Sequence, residues 1–341
     1  MTEQIRQLTA DDLTYYEKMQ TGLKDDYMLK VFDRITTGNN NIYGLFVQDE
    51  LVALSGFTVF IDYYAMLGRL RTDQRYRKNG YGTRIVAYSI EQALAHPAVK
   101  WIAANTEQHN KAAQSLLRKV GLPPVKLLYA AQASSVEVLM DDSDVWSELT
   151  DPNEKMNWIR RTYLHPAFDK KVFPLEAYYP FPVSEPMFED TLDKWHFFEN
   201  KDKTRFVMMW EEYKGTNYLH VVYPWEDFMD QPGLFNTIQD ALLLAQQNDS
   251  ETTVWWDMSE TDAALLPTHH PFDLPSPWIL HGLSKDAILT DDVSESVERA
   301  NSLIQKVEEE LAELEKELDE KAESVSSLTE QLQDKEDFLN K

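Results

Sequence analysis

The stretch Arg77-Lys78-Asn79-Gly80-Tyr81-Gly82 restricts the chain more than any other. It joins an apolar run, Ala65-Met66-Leu67-Gly68-Arg69-Leu70, to a helix-forming run, Thr83-Arg84-Ile85-Val86-Ala87-Tyr88-Ser89-Ile90. A strand that passes through a glycine-spaced turn into a helix N-terminus builds an anion site. The first helical N–H groups have no intrahelical acceptor, and the macrodipole places partial positive charge beside them. Gly80 and Gly82 allow close approach of a phosphate to the backbone, and Arg77 and Lys78 add formal charge. A tight turn without a ligand has the same spelling, so the turn by itself leaves the function open.

A second motif lies downstream. Lys100-Trp101-Ile102-Ala103-Ala104-Asn105-Thr106 reads as a buried strand. After it, the segment from Asn110 to Leu122 places Ala113, Leu116 and Val120 on one helical face, with Gly121 as its stop. Upstream, Thr9 and Asp12 have the spacing of a capping box. A short helix is expected over 26–35, then a hairpin of 42–47 and 51–61 turning at Gln48-Asp49-Glu50. With its two motifs, the segment 1–130 resembles the Gcn5-related N-acetyltransferases, the GNAT superfamily. The resemblance implies an α/β domain whose mixed central sheet is flanked by helices.

It also implies a chemistry. In that family acetyl-CoA lies in a splayed gap between the fourth and fifth strands. Here the strand backbone at Leu70, Arg71 and Thr72 would pair with the pantetheine arm. Arg77, Lys78, Asn79, Gly80, Tyr81, Gly82 and Thr83 would hold the pyrophosphate, and Asn110 matches a position that commonly contacts the pantetheine or phosphate end. A primary amine, on a small molecule or a protein, would attack the thioester directly while a base or water wire takes its proton. Glu107 is the candidate base, with His109 and Asp62 as others, although each also fits a solvated loop or cap. The Arg71 side chain either lines the acceptor pocket or pairs with an acid. One departure stands out: Leu117 occupies the helix position where the family often has a proton-donating tyrosine. Water or Tyr81 then protonates the thiolate, or catalysis has been lost. In the latter case the chain is an acyl-CoA sensor or scaffold working through its tail.

Net charge is +3 over 1–130, −16 over 131–285 and −12 over 286–341, making up the overall −25. The basic segment is the one expected to hold a polyanion. Nucleic-acid binding needs basic surface, so no nucleic-acid partner is expected of so acidic a chain. The absence of cysteine excludes disulfides, thiolate metal sites and an acyl-cysteine route. Thr268-His269-His270-Pro271 with Asp273 and His281 has no metal-ligand spacing, so no metal is expected. No stretch approaches membrane-spanning length, and Met1-Thr2-Glu3-Gln4 does not open a secretion signal, so a cytoplasmic location is expected.

Beyond residue 134 the pattern loosens. A helix is expected over 146–163, strands over 205–212 and 217–223, a helix over 234–247, and strands over 252–258 and 278–282. Strand, strand, helix, strand, short helix, strand is the order of the first segment. Between Tyr223 and Leu234 the reading finds no glycine turn, only Pro224-Trp225-Glu226-Asp227, whose acids repel pyrophosphate. The segment 135–285 is therefore expected to be a degenerate second GNAT-like α/β domain without coenzyme. Trp210, Trp225, Trp255, Trp256, Tyr178 and Tyr179 form either core or an ammonium cage. Finally, Val297, Ile304, Leu311, Leu318, Val325, Leu332 and Leu339 repeat every seven residues, with Ala300, Val307, Leu314 and Leu328 between them. That spacing is a coiled-coil seam over 291–340, read as homodimerising, with a basic partner helix as the alternative.

Overall fold

A computed structural model describes residues 2–189 and 191–289, so the heptad tail lies outside the described residues. Residues Met1–Lys285 form one compact unit. The first half runs β1 (Glu3–Gln7), α1 (Leu13–Tyr16), α2 (Met28–Ile35), β2 (Asn40–Val47), β3 (Glu50–Phe60), β4 (Tyr64–Thr72), α3 (Tyr81–Ala95), β5 (Trp101–Glu107), α4 (Lys111–Lys119) and β6 (Pro124–Ala133). The second half continues with β7 (Ser147–Leu149), α5 (Pro152–Arg161), β8 (Val172–Glu176), β9 (Tyr179–Pro182), α6 (Pro186–Glu189) and β10 (His196–Glu199). It closes with β11 (Phe206–Tyr213), β12 (Asn217–Val222), α7 (Leu234–Asn248), β13 (Thr253–Met258), α8 (Glu260–Leu265), β14 (Trp278–Ser284) and α9 (Lys285–Leu289). The α/β class with a mixed sheet and flanking helices is as expected.

Among the described residues, twelve strands share one sheet in the order β1-β2-β3-β4-β5-β14-β6-β13-β12-β11-β10-β7, and β8 and β9 form a separate hairpin. The centre of that order shows an exchange. The last strand of the second half, β14, pairs antiparallel with β5, and the last strand of the first half, β6, pairs antiparallel with β13. β14 and β6 then pair with each other. Each half therefore lends its final strand to a continuous sheet. Cutting between them would strip a partner from β5 and leave an unpaired edge.

The halves echo one another elsewhere too. β4 and β5 are parallel, as are β12 and β13. The helix between each pair has 15 residues. Each starts from a left-handed glycine, Gly80 at φ 76° and Gly233 at φ 74°. The expectation of no glycine turn before Leu234 is thus corrected. Pro232-Gly233 supplies it, because only glycine adopts that backbone without a Cβ penalty.

The helix expected over 146–163 is also corrected. Ser147–Leu149 pairs with β10, and the helix starts only at Pro152. Asp151 caps it by accepting from the Asn153 N–H at 2.9 Å, and proline at the first helical position needs no N–H partner.

A shared aromatic core fastens the second half to the first. Tyr64, Met66 and Ala103 pack with Phe173, Phe181, Trp195 and Phe206. Phe181 stacks on Tyr64 at 4.5 Å, and the Tyr64 hydroxyl donates to the Pro182 carbonyl. The β8–β9 hairpin thereby covers one face of β4 and β5. Trp210, Trp255 and Trp256 are buried in cores, which makes them packing residues rather than a cage.

Candidate active site

A bulge in β4 creates the cleft. Opposite β3, Gly56 pairs with Gly68 and Leu54 with Arg71, so Arg69 and Leu70 together face the single residue Ser55. Arg69 takes up the extra length at φ 58°. A bulge bends its strand and interrupts pairing. On the other side of β4, pairing with β5 runs from Tyr64 opposite Trp101 to Leu67 opposite Ala104 and stops there. Gly68–Thr72 and Asn105–Glu107 therefore diverge, with backbone groups free of a shared ladder. Leu70, Arg71 and Thr72 lie along one edge of this gap.

The glycine turn closes its far end. Asp73 holds the approach by accepting from the Arg75 N–H at 2.9 Å and the Gln20 N–H at 3.0 Å. Lys78 and Gly80 both have positive φ, and α3 begins without a side-chain cap. A Cβ at Gly80 would meet nothing within 4 Å, so the first turn of α3 opens outward. Gly82 is tighter, with a Cβ there 3.0 Å from Thr72 Oγ1 and 3.8 Å from Leu116. Arg77 donates to the Thr21 carbonyl at 2.9 Å, Asn79 donates to the Tyr76 carbonyl at 3.2 Å, and Lys78 is exposed. The uncapped N–H groups, the outward opening and the two cations fit a pyrophosphate.

The remaining candidates are placed as follows. Asn110 caps α4, its Oδ1 accepting from the Ala113 N–H at 3.1 Å. Glu107 ends β5 with Oε2 2.8 Å from His109 Nε2, both side chains partly open to solvent. Arg71 turns out to pair with an acid. It donates to both Asp26 oxygens at 2.7 and 2.9 Å, and Tyr16 donates to the same carboxylate. Burial works against the Asp26 charge, but the bonds from Arg71 and Tyr16 prevail and hold its carboxyl below the usual range. Leu117 is buried at 7% exposure, and the Tyr81 hydroxyl donates to Glu3 at 3.3 Å.

Two residues at the mouth of the gap escaped the sequence reading. Arg69 carries the bulge, and Asn105 follows the last β5 residue paired with β4. A Gly-Arg pair inside an apolar strand, and an asparagine inside a buried one, were the signals available. Among the described residues no group of His, Cys, Asp and Glu is arranged for an ion. His281 is buried and its Nδ1 lies 2.9 Å from the Leu122 carbonyl. A surface hollow of about 280 Å³ between Trp146, Phe198 and Leu244 belongs to the second half and not to the strand gap. Among the described residues, no helix is long and apolar enough to cross a membrane.

Residues 3–122 match the family model described as Acetyltransferase (GNAT) family. No curated protein matches the chain in sequence. A GCN5-related N-acetyltransferase from Sphaerobacter thermophilus shares the fold, with TM-score 0.53 at 13% identity, over 83% of this chain and 96% of that one. A candidate acetyltransferase from Thermoplasma acidophilum aligns over 82% of this chain and 99% of that one, at 15% identity and TM-score 0.46. A candidate streptothricin acetyltransferase from Bacillus anthracis str. Ames, solved in complex with acetyl coenzyme A, covers 37% of this chain and 87% of its own, at 18% identity and TM-score 0.33.

Proposed function

We propose, on the match of residues 3–122 to the GNAT acetyltransferase family model, that the chain moves an acetyl group from acetyl-CoA to a primary amine within a ternary complex. The divergence of β4 from β5 beyond Leu67 and Ala104, ending at an uncapped helix start, is the observation that carries this reading. The edge at Leu70, Arg71 and Thr72 has backbone groups to pair with the pantetheine amides. The N–H groups from Tyr81 to Thr83, with Arg77 and Lys78, face the pyrophosphate, and the side-chain amide of Asn110 borders the same end.

The reacting carbonyl then lies where the strands part. The amine nitrogen attacks it, a C–N bond forms as the C–S bond breaks, and the amine gives up one proton. Glu107, at the end of β5, takes that proton directly or through water. With Leu117 buried and the Tyr81 hydroxyl turned to Glu3, water protonates the departing thiolate. Residues 135–285 act as a GNAT-like domain without coenzyme, and the heptads of 297–339 support self-association into a dimer.

Calorimetric titration with acetyl-CoA, run beside a thiol-release assay over a panel of amines, tests this. Binding with amine-dependent release is expected. Binding without release from any amine favours the sensor that Leu117 suggests, and absence of binding removes the cofactor site.

A further inference from the structure

The mouth of the gap holds two polar groups whose bonding is incomplete and whose chemistry is opposite. Arg69 is a partly buried cation with neutral partners. It donates to Thr58 Oγ1 and to Asn40 Oδ1, each at 2.9 Å. Arg6, Arg71 and Arg205, the other half-buried arginines among the described residues, each bond a carboxylate at 2.5 to 2.7 Å. Among the described residues Arg69 has no ion-pair partner, although a guanidinium has five N–H donors and buried charges are normally paired. Burial and the nearby Arg34 both act against its charge, while the Tyr179 and Tyr27 phenols favour it. Its backbone sits at φ 58°, a conformation an arginine keeps only when its surroundings impose it.

Asn105 is the complement. Its Nδ2 donates to the Tyr178 carbonyl at 2.8 Å, which fixes the orientation of the amide because a carbonyl only accepts. Oδ1 is left buried without a partner among the described residues, an arrangement that calls for an explanation. Asn105 adjoins the β8–β9 turn at Tyr178, and Arg69 is within electrostatic reach of the next residue, Tyr179, where β9 begins. That turn belongs to the second half. Tyr178 holds φ 69°, and the preceding Ala177 N–H is anchored by Glu212 at 3.1 Å.

Gly68 lies between them. By the alternation of a strand it shares a face with Tyr64 and Met66, the face that the β8–β9 hairpin covers. A Cβ at Gly68 would meet nothing within 4 Å, so there is room on that face where the strands part.

We propose that Gly68, Arg69, Asn105 and the Tyr178–Tyr179 turn form the acceptor site, and that it takes a small primary amine carrying a carboxylate. The Arg69 fork binds the carboxylate in two-point fashion. Asn105 Oδ1 accepts a hydrogen bond from the amine and directs the nitrogen lone pair toward the carbonyl in the gap. The second half supplies the roof and sets the length of acceptor admitted. This rests on the acetyl-transfer reading above and adds the substrate class to it.

Thiol release by the full chain is measured with free L-amino acids and with the same amino acids as carboxamides, together with acetyl-CoA affinity. The free acids are expected to lead in kcat/KM by about tenfold or more, as one charged hydrogen-bonded contact supplies. Arg69→Gln erases that preference through the acceptor KM, Arg69→Lys restores part of it, and acetyl-CoA affinity holds in both. Gly68→Leu fills the space and suppresses turnover while acetyl-CoA still binds. Equal use of acids and amides, a preference that survives Arg69→Gln, or a loss of acetyl-CoA affinity in that variant overturns the acceptor assignment and leaves acetyl transfer standing. Acetyl-CoA binding with no release from either set overturns the zwitterionic acceptor. Absence of both binding and release removes the acetyl-transfer reading and this proposal with it.

Discussion

Two glycine turns, at Gly80 and at Gly233, present the same backbone to different surroundings. Each glycine is left-handed, each follows a short 3-10 turn, and each starts a helix of 15 residues behind a parallel strand pair. Around Gly80 a Cβ would find open space. At Gly233 it would come within 2.1 Å of the Asp144 carbonyl. The loop from Asp141 to Trp146 lies across that helix start. The Gly233 N–H donates to the Asp141 carboxylate at 3.1 Å, Asn236 donates to the Asp141 and Ser143 carbonyls at 2.8 Å, and Trp146 N–H donates to Thr237 Oγ1 at 2.8 Å. The bond from the Ser143 N–H, against slight burial and with help from Gly233, holds the Asp141 carboxyl below its usual range. The first turn leaves its positive end without a side-chain cap, and the second satisfies it with a carboxylate of its own chain. The same glycine turn can therefore start an open helix end or a covered one, and its surroundings decide which.

Substitution separates the two turns most sharply. Gly233→Ala forces Asp144 and the loop away as well as straining the backbone. It is expected to cost about 3 kcal/mol or more in denaturant unfolding. Gly80→Ala meets no atom and is expected to cost about 1 kcal/mol, the left-handed penalty alone. Equal costs would show that the Gly233 loop is not packed as described.

Cofactor affinity comes next. Lys78→Glu places a negative charge at the open turn and is expected to weaken acetyl-CoA binding about tenfold, with unfolding unchanged. Asp141→Ala removes the plug of the second turn. Loss of that cap is expected to destabilise the chain by about 1 kcal/mol without altering acetyl-CoA affinity or stoichiometry. A second equivalent of acetyl-CoA bound by this variant would mean that the second turn is a masked site.

The smallest effect concerns pH. His220 is fully buried between Glu212 at 3.3 Å and Asp257 at 3.2 Å, with the Trp210 ring centre 4.4 Å from its own. Burial opposes its charge, but hydrogen bonds with Asp257 and Glu212 outweigh that and raise its pKa above the ordinary 6.5. Lys214 also reaches Glu212, at 3.3 Å. Because the folded value is the higher one, the stability from His220 is complete below pH 6.5 and fades as pH rises through the folded value. Glu212 behaves in the opposite sense. Burial works against its charge, yet His220 holds its pKa below 4.5, so its contribution is lost only in acid. The difference in Tm between the native chain and His220→Gln should narrow as pH is raised above neutral. A constant difference would mean that His220 is held neutral. This network matters to the first half because Glu212 anchors the Ala177 N–H at the roof of the proposed acceptor site.

Much of the first half was legible in sequence, since its signals are local. The Thr9–Asp12 capping box, the turn at Gln48-Asp49, the glycine start of α3 and the helix that follows Asn110 each depend on residues within a few positions. The glycine start of α7 is just as local, but in sequence the segment before it shows mainly the acids Glu226 and Asp227, which read as repelling a phosphate. In the fold Asp227 is neutralised by Arg205 at 2.7 Å and accepts from the Tyr223 hydroxyl at 2.6 Å. The polar groups at the cleft mouth were missed for a related reason. What matters about Arg69 and Asn105 is a partner that each lacks among the described residues, an ion pair for Arg69 and a donor for Asn105 Oδ1, and that shows only in the folded chain.

The sequence alone thus determined the hairpin of β2 and β3, the starts of α3 and α4, and the glycine turn between β4 and α3, because backbone conformation and capping are settled over a few residues. Only the tertiary structure decided that β14 enters between β5 and β6, that the β8–β9 hairpin covers the cleft, and that Asp141 rather than a ligand faces the second turn. Strand order and cover come from pairings across a hundred residues or more. They follow from which apolar faces and unsatisfied N–H groups meet in the folded chain, and no short stretch of sequence carries that information.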